Sequence, residues 1–201
     1  MNREINFLVL NYFDVFKSAN FESLSVLGLS KEELDSILKK FLDEGFIKKL
    51  NSEFEITELG EKEAARYRKE MLENSGKKET FLRYCEEFEE VNKRFKDLVT
   101  RWQLKNKNGE LVPNDHSDPE YDLALIEELN DIHQETVKIL EKLARVFPFF
   151  KKYVSRFERA LSLLMDGDLG YMADSDKQSY HTIWFELHET LLKMSGMKRI
   201  E

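Results

Sequence analysis

Apolar residues recur at helical spacing along most of this chain. Ile5, Leu8, Val9, Tyr12, Phe13 and Phe16 predict a helix over 4–17. A short element over 21–27 stops at Gly28. Ser30-Lys31-Glu32-Glu33 reads as a capping box, in which serine and glutamate each satisfy the other's backbone N–H. Leu34, Ile37, Leu38, Phe41 and Leu42 line one face of the helix it opens. Gly45 ends that helix, because glycine takes the left-handed conformation of a C′ position without strain. Residues 46–50 and 54–57 read as two short strands around Asn51-Ser52-Glu53, and Thr57 caps a helix over 58–73.

The polar stretch 74–78 divides the chain into a domain over 1–75 and another over 76–201. Phe81, Phe88, Phe95 and Trp102 then recur every seven residues, with Cys85, Val91, Leu98 and Val99 beside them. That spacing predicts a long helix packed on other helices. Residues 103–119 read as a polar loop with a tight turn at Asn108-Gly109. At its end Asp118 caps a helix with Pro119 in the first position. This helix covers 119–146, and another covers 148–165. After a loop over 166–174, Ser175-Asp176-Lys177-Gln178 reads as a second capping box, opening a last helix to about 195.

Helix, short helix, capped helix, two-stranded wing, helix is the order of a winged helix-turn-helix. The segment LSKEELDSILKKFLDEGFIKK…FEITELGEK resembles the DNA-binding domain of MarR-like and related winged-helix regulators. The DEGFIKK turn and the ITELG return strand carry the likeness, which spans about a third of the chain. It implies a DNA-binding winged helix over 1–75. SYHTIWFELHETLL, together with PNDHSDPEYD, is similar to an uncharacterised helical family with a winged-helix N-terminus. That second resemblance implies an association with phosphoenolpyruvate-utilising enzymes of the dikinase type and assigns no activity. The expected fold is mainly α, a winged helix with a small two-stranded wing followed by a helical bundle.

Composition narrows the function. With 41% hydrophobic residues the chain has enough apolar surface for a packed core, and 8 Gly and 3 Pro in 201 residues suit long helices. No apolar run approaches the roughly 20 residues that span a bilayer, and no cationic-then-apolar leader precedes the first helix. A cytoplasmic protein without a membrane partner is expected. Cys85 stands alone, which excludes an intrachain disulfide and CxxC metal sites and suits a buried apolar role. The net charge of −8 argues against broad nucleic-acid affinity but leaves room for a local basic surface.

On the capped helix, Lys31, Glu32, Asp35, Ser36, Lys39 and Lys40 face away from the apolar stripe. A recognition helix reads base edges from its N-terminal half and anchors on phosphates through Lys or Arg. Lys31, Ser36, Lys39 and Lys40, with Lys48 and Lys49 of the wing, are therefore the expected DNA-binding residues. In a winged helix that does not bind DNA, the same face is a solvated surface of mixed charge.

At 100° per residue, Trp184, Phe185, Leu187, Leu191 and Leu192 share one arc of the last helix, with His181 and His188 in its middle. Glu186 and Glu189 fall on the opposite side. His133 and Thr136 lie among apolar positions of helix 119–146, and Asn92 lies between Phe88 and Phe95. Buried polar groups need partners. Asn92, His133, Thr136, His181 and His188 either bond one another in the core or line a ligand pocket with Trp184. Arg94 and Arg101 form an anion clamp or ordinary ion pairs. Asp115, His116 and Asp118 either join a metal from their loop or, more commonly for such residues, serve as turn and cap residues. The spacing of His181 and His188 is not that of HExxH, and no metal or cofactor is expected.

GxGxxG, GxxxxGK[ST] and GxSxG are absent from the sequence, and no catalytic residue is nominated. The expected function is transcriptional regulation by a DNA-binding homodimer, with a helical domain that dimerises, senses a small-molecule effector or docks a partner. The alternative is an accessory module of a metabolic enzyme system, binding an enzyme partner or a metabolite and never DNA.

Overall fold

The computed structural model describes residues 3–107 and 109–199. It is mainly helical, with two small antiparallel sheets. The chain forms two compact units. One contains the residues up to Lys78 together with those from Glu186, and the other runs from Glu79 to Phe185.

The first unit contains α1 (Arg3–Phe16), β1 (Ser18–Ala19), α2 (Phe21–Leu24), α3 (Lys31–Asp43), β2 (Ile47–Leu50), β3 (Glu53–Ile56) and α4 (Glu58–Asn74). Its helix boundaries follow from the local chemistry. The Glu33 N–H donates to Ser30 Oγ at 3.2 Å and the Ser30 N–H to Glu33 Oε2 at 2.8 Å, closing the expected capping box. Gly45, at φ +72°, ends the turn after α3. Thr57 Oγ1 accepts from the Gly60 N–H at 3.1 Å and donates to the Gly45 carbonyl at 2.6 Å. Asn20 and Ser23 form a further capping box, over α2, which the sequence reading lacked.

Strands β2 and β3 pair from Ile47↔Ile56 to Leu50↔Glu53. The short β1 adds to the free side of β3 through Ser18↔Glu55 and Ala19↔Phe54, giving the order β1-β3-β2. Two residues are too few to carry a period-2 signal, and the sequence reading ran α1 through to 17. Lys17 instead takes φ +69° and turns the chain into β1.

Helix α1 is buried on nearly every side, from Asn6 to Val15. Its polar residues consequently lie in the core. Arg68 of α4 donates to Asp14 Oδ2 at 2.6 Å and to Asn11 Oδ1 at 3.1 Å, and Asn11 Nδ2 donates to Thr190 Oγ1 at 2.9 Å. Lys193 and Lys17 approach the two oxygens of Asp14 at 3.2 and 3.3 Å. Burial pushes the Asp14 carboxyl up, but the charges of Arg68 and Lys193 outweigh it and hold the group below its ordinary value.

The second unit is built on α5 (Lys78–Gln103), β4 (Leu104–Lys107), β5 (Glu110–Pro113), α6 (Pro119–Ala144), α7 (Lys151–Met165), α8 (Gly170–Ala173) and the start of α9 (Tyr180–Ser195). The seven-residue series of α5 is buried throughout, and Phe95 stacks on Trp184 with ring centroids 4.0 Å apart. The expected polar loop over 103–119 contains a hairpin instead. β4 pairs with β5 from Leu104↔Pro113 to Lys107↔Glu110. Its residues do not alternate between apolar and polar, so no strand period was visible. Of the Asn108-Gly109 turn, Asn108 lies outside the described residues, and Gly109 adopts φ +91°.

Asp118 caps α6 as expected, accepting from the Tyr121 N–H at 3.1 Å. The second expected capping box is displaced. Residues 175–178 form turns, α8 occupies part of the loop before them, and Ser179 Oγ caps α9 by accepting from the Thr182 N–H at 3.2 Å.

The sequence reading placed all of 76–201 in one bundle, yet α9 contributes its first turns to the second unit and its last turns to the first. A helix buried nearly all round has apolar surface for both. Its buried arc is centred on Tyr180, Ile183, Trp184, Leu187, Leu191 and Met194. Phe185 stands roughly 150° from that centre at 100° per residue, and it is 37% exposed. Glu186, expected on the solvent side, is 3% exposed. Among the described residues, no helix is long and apolar enough to cross a membrane.

Candidate functional site

Three groups of residues have the chemistry to recognise something. The first is the outer face of α3 and the β2–β3 hairpin. Lys31, Ser36, Lys39, Lys48 and Lys49 are exposed, and Lys40 is half-buried. Lys40 faces Glu44 at 3.9 Å, and Lys48 pairs with Glu55 at 2.9 Å. Glu32, Asp35 and Asp43 share the exposed side of α3, so its charge is mixed.

The second group comprises the polar residues within the helices. Asn92 Oδ1 accepts from the Trp184 indole N–H at 2.9 Å, and Asn92 Nδ2 donates to Glu89 at 3.1 Å. The Tyr180 hydroxyl lies 3.3 Å from His133 Nδ1 and also meets the hydroxyl of Thr136, which donates to the Ile132 carbonyl at 2.8 Å. Burial holds His133 and His181 below the usual imidazole range, opposed at His133 by Glu158. Of the six expected pocket residues, five thus belong to the second unit, where polar groups answer one another inside an aromatic core. His188 is buried in the first unit. Arg94 pairs with Glu135, and Arg101 bonds Asp97 at 2.8 Å and Glu128 at 2.6 Å, so both serve as ion-pair residues.

Of the third group, the sequence points only to His116, as a turn residue. A cleft of about 420 Å³ is lined by Trp102, Gln103, Asn114, His116, Leu169, Gly170, Ala173 and Asp174. Its polar wall comes from the segment between β5 and α6. Asp115 accepts from Ser117, and Asp118 caps α6, the roles expected of both. His116 does more. It sits at φ +54°, uncommon for a residue with a side chain. Its Nδ1 lies 2.9 Å from Asp122 Oδ2, and its ring lies 4.6 Å from that of Trp102. Asn114 Nδ2 donates to the Trp102 carbonyl and to Asp122 Oδ1, both at 3.0 Å. The sequence signal was PNDHSDPEYD itself, in which Asp118-Pro119 fixes the start of α6 and so the position of Asp122.

Among the described residues, no group of three or more His, Cys, Asp or Glu side chains is arranged to hold a metal ion. Burial pushes the Cys85 thiol up to about 12, with Glu89 and Glu86 adding to the shift, so the group is a poor nucleophile. No family model, curated protein or solved structure matches the chain.

Proposed function

We propose that this chain is a DNA-binding regulator of the winged-helix type, which reads DNA with α3 and holds flanking phosphates with the β2–β3 wing. The observation carrying this reading is the strand order β1-β3-β2, with α3 directly before the wing and Lys31, Ser36 and Lys39 exposed on it. Lys39, Lys40 and Lys49 act as phosphate anchors, and Ser36 approaches base edges. A homodimer would bring two copies of α3 about one DNA turn apart. The helical unit then supplies the dimer contact or the response to an effector.

The test is charge reversal. Lys39→Glu with Lys40→Glu is expected to abolish binding in fluorescence anisotropy while leaving the thermal midpoint within a few degrees of the parent, since both changes are at the surface. Unchanged affinity in the double variant would exclude α3 as the recognition helix.

Glu32, Asp35 and Asp43 favour a second reading, in which the same face docks a protein partner rich in Lys and Arg and never meets DNA. Carboxylates facing phosphates repel them, whereas facing a basic surface they attract it. Salt-sensitive capture of a basic protein by the parent chain, lost on Asp35→Lys, would support this alternative.

A further inference from the structure

The hydrogen-bonding polarity beside His116 follows from which neighbouring groups can only donate or only accept. Asn114 Oδ1 accepts from the His116 backbone N–H at 3.2 Å, and Asn114 Nδ2 points at the Trp102 carbonyl, which can only accept. These two backbone groups fix the orientation of the amide. Both Nδ2 protons are then committed, one to Trp102 and one to Asp122 Oδ1. The 3.2 Å approach of Nδ2 to His116 Nδ1 has no third proton to share. Asp122 Oδ2 therefore takes its hydrogen bond from His116 Nδ1–H at 2.9 Å. With the proton on Nδ1, the uncharged form of the ring carries its lone pair on Nε2. No described residue bonds Nε2.

Charge points the same way. Asp122 is buried, and its two oxygens are met by the Asn114 amide and the His116 ring, with no Lys or Arg among its partners. Asp174 supplies an exposed carboxylate to the cleft, one oxygen of which accepts from the Asp176 N–H at 2.9 Å. The nearby cations bond other carboxylates, although Lys177 also feels the charge of Asp174. Lys177 lies beside Gly170 but is held by both oxygens of Asp168 at 2.7 and 2.8 Å, and Lys105 faces Asp118 at 3.7 Å. Leu169, Ala173 and the edge of Trp102 give the rest of the wall an apolar character. The left-handed backbone of His116 is the kind of strain that persists where the surroundings over-determine a side chain's position.

We propose that this cleft binds a small organic ammonium. Nε2 of His116 accepts one of its N–H protons, the carboxylate of Asp174 supplies the counter-charge, and the hydrocarbon part lies against Leu169, Ala173 and Trp102. Asp122 and Asn114 are positioning residues that hold the imidazole in the accepting tautomer. A volume of this size suits a ligand of a few to about twenty heavy atoms. The site needs neither DNA nor a dimer, so it stands apart from the winged-helix reading.

Two measurements on the full-length protein test it. Long-range ¹H–¹⁵N spectra of the four histidines report each tautomer directly, and His116 is expected to carry its proton on Nδ1. Titration with benzylamine is then followed at the Trp102 indole and His116 ring signals, with phenylacetate as the matched anion. Benzylamine is expected to give saturable shifts at both residues and phenylacetate none. Asp174→Asn, a surface change, should weaken benzylamine by about tenfold, the loss of one charge-assisted contact. In Asp122→Asn the new amide donates to Nδ1 and moves the ring proton to Nε2, so amine binding should be lost while the fold, read by near-ultraviolet circular dichroism, is kept. If Asp122→Asn fails to fold, Asp174→Asn and the parent tautomer decide the matter. A resting Nε2–H tautomer or a doubly protonated His116 ring, equal binding of phenylacetate, or shifts unaffected by Asp174→Asn would overturn the proposal, as would no saturable binding of benzylamine.

Discussion

Asp14 and Arg68 are each at most 5% exposed, so neither can return to water if the other is removed. Asp14→Asn leaves the Arg68 guanidinium buried without its anionic partner, and breaking a buried pair in this way costs about 3 kcal/mol. Urea unfolding at neutral pH should show that loss, and a change below about 1 kcal/mol would mean that water reaches the site. The signal in the sequence was modest but real. In FLVLNYFDVF only Asn11 and Asp14 are polar, three apart on a helix otherwise apolar all round. A pattern with no solvent face brings its polar residues inside.

The histidines make a second prediction at this scale. Burial lowers His133 and His181 below the ordinary value of 6.5, so the folded state disfavours their charged forms. An unfolded imidazole binds its proton at higher pH, so this stability is present above about pH 6.5 and is lost as the pH falls towards the folded value. The thermal midpoint should drop between about pH 7 and 5.5, and His181→Gln should flatten that drop. An equal slope in parent and variant would show that other groups dominate it.

Among the elements, α4 and the β2–β3 hairpin give the sharpest test. An ideal Cβ at Gly60 would stand 2.1 Å from the Phe46 carbonyl oxygen and 2.8 Å from an Ile56 side-chain carbon. Alanine in a helix ordinarily gains about 1 kcal/mol over glycine. Here Gly60→Ala should instead destabilise by about 2 kcal/mol, because the contact is with backbone that cannot turn aside. A gain in the urea midpoint would show that α4 is not packed this closely on Phe46 and Ile56.

The elements also show what kind of signal a sequence carries. The capping box at Ser30, the αL glycine at 45 and the Thr57 cap are local chemistry, and each was legible from four or five adjacent residues. The β4–β5 hairpin, β1 and α8 were not, because their boundaries depend on what pairs with them rather than on their own periodicity. The same distinction divides the sites. Exposed lysines on α3 could be placed from helical spacing alone. The Asn114–His116–Asp122 arrangement could not, because an unusual backbone angle at His116 brings the three side chains together.

For the molecule as a whole, the balance of charge bears most directly on function. A chain of net charge −8 is repelled by duplex DNA at long range. Binding must then come from a local match between the α3 face and a particular sequence, and nonspecific affinity should be weak. The central claim is accordingly one of specificity. The measurement that tests it most directly is fluorescence anisotropy of the full-length protein with DNA from upstream of its own gene and with a scrambled duplex, at low and moderate salt. The winged-helix account predicts tight binding to the upstream DNA that survives moderate salt, with the scrambled duplex weaker by about a thousandfold. Equal, weak and salt-sensitive binding to both, or none to either, would contradict it.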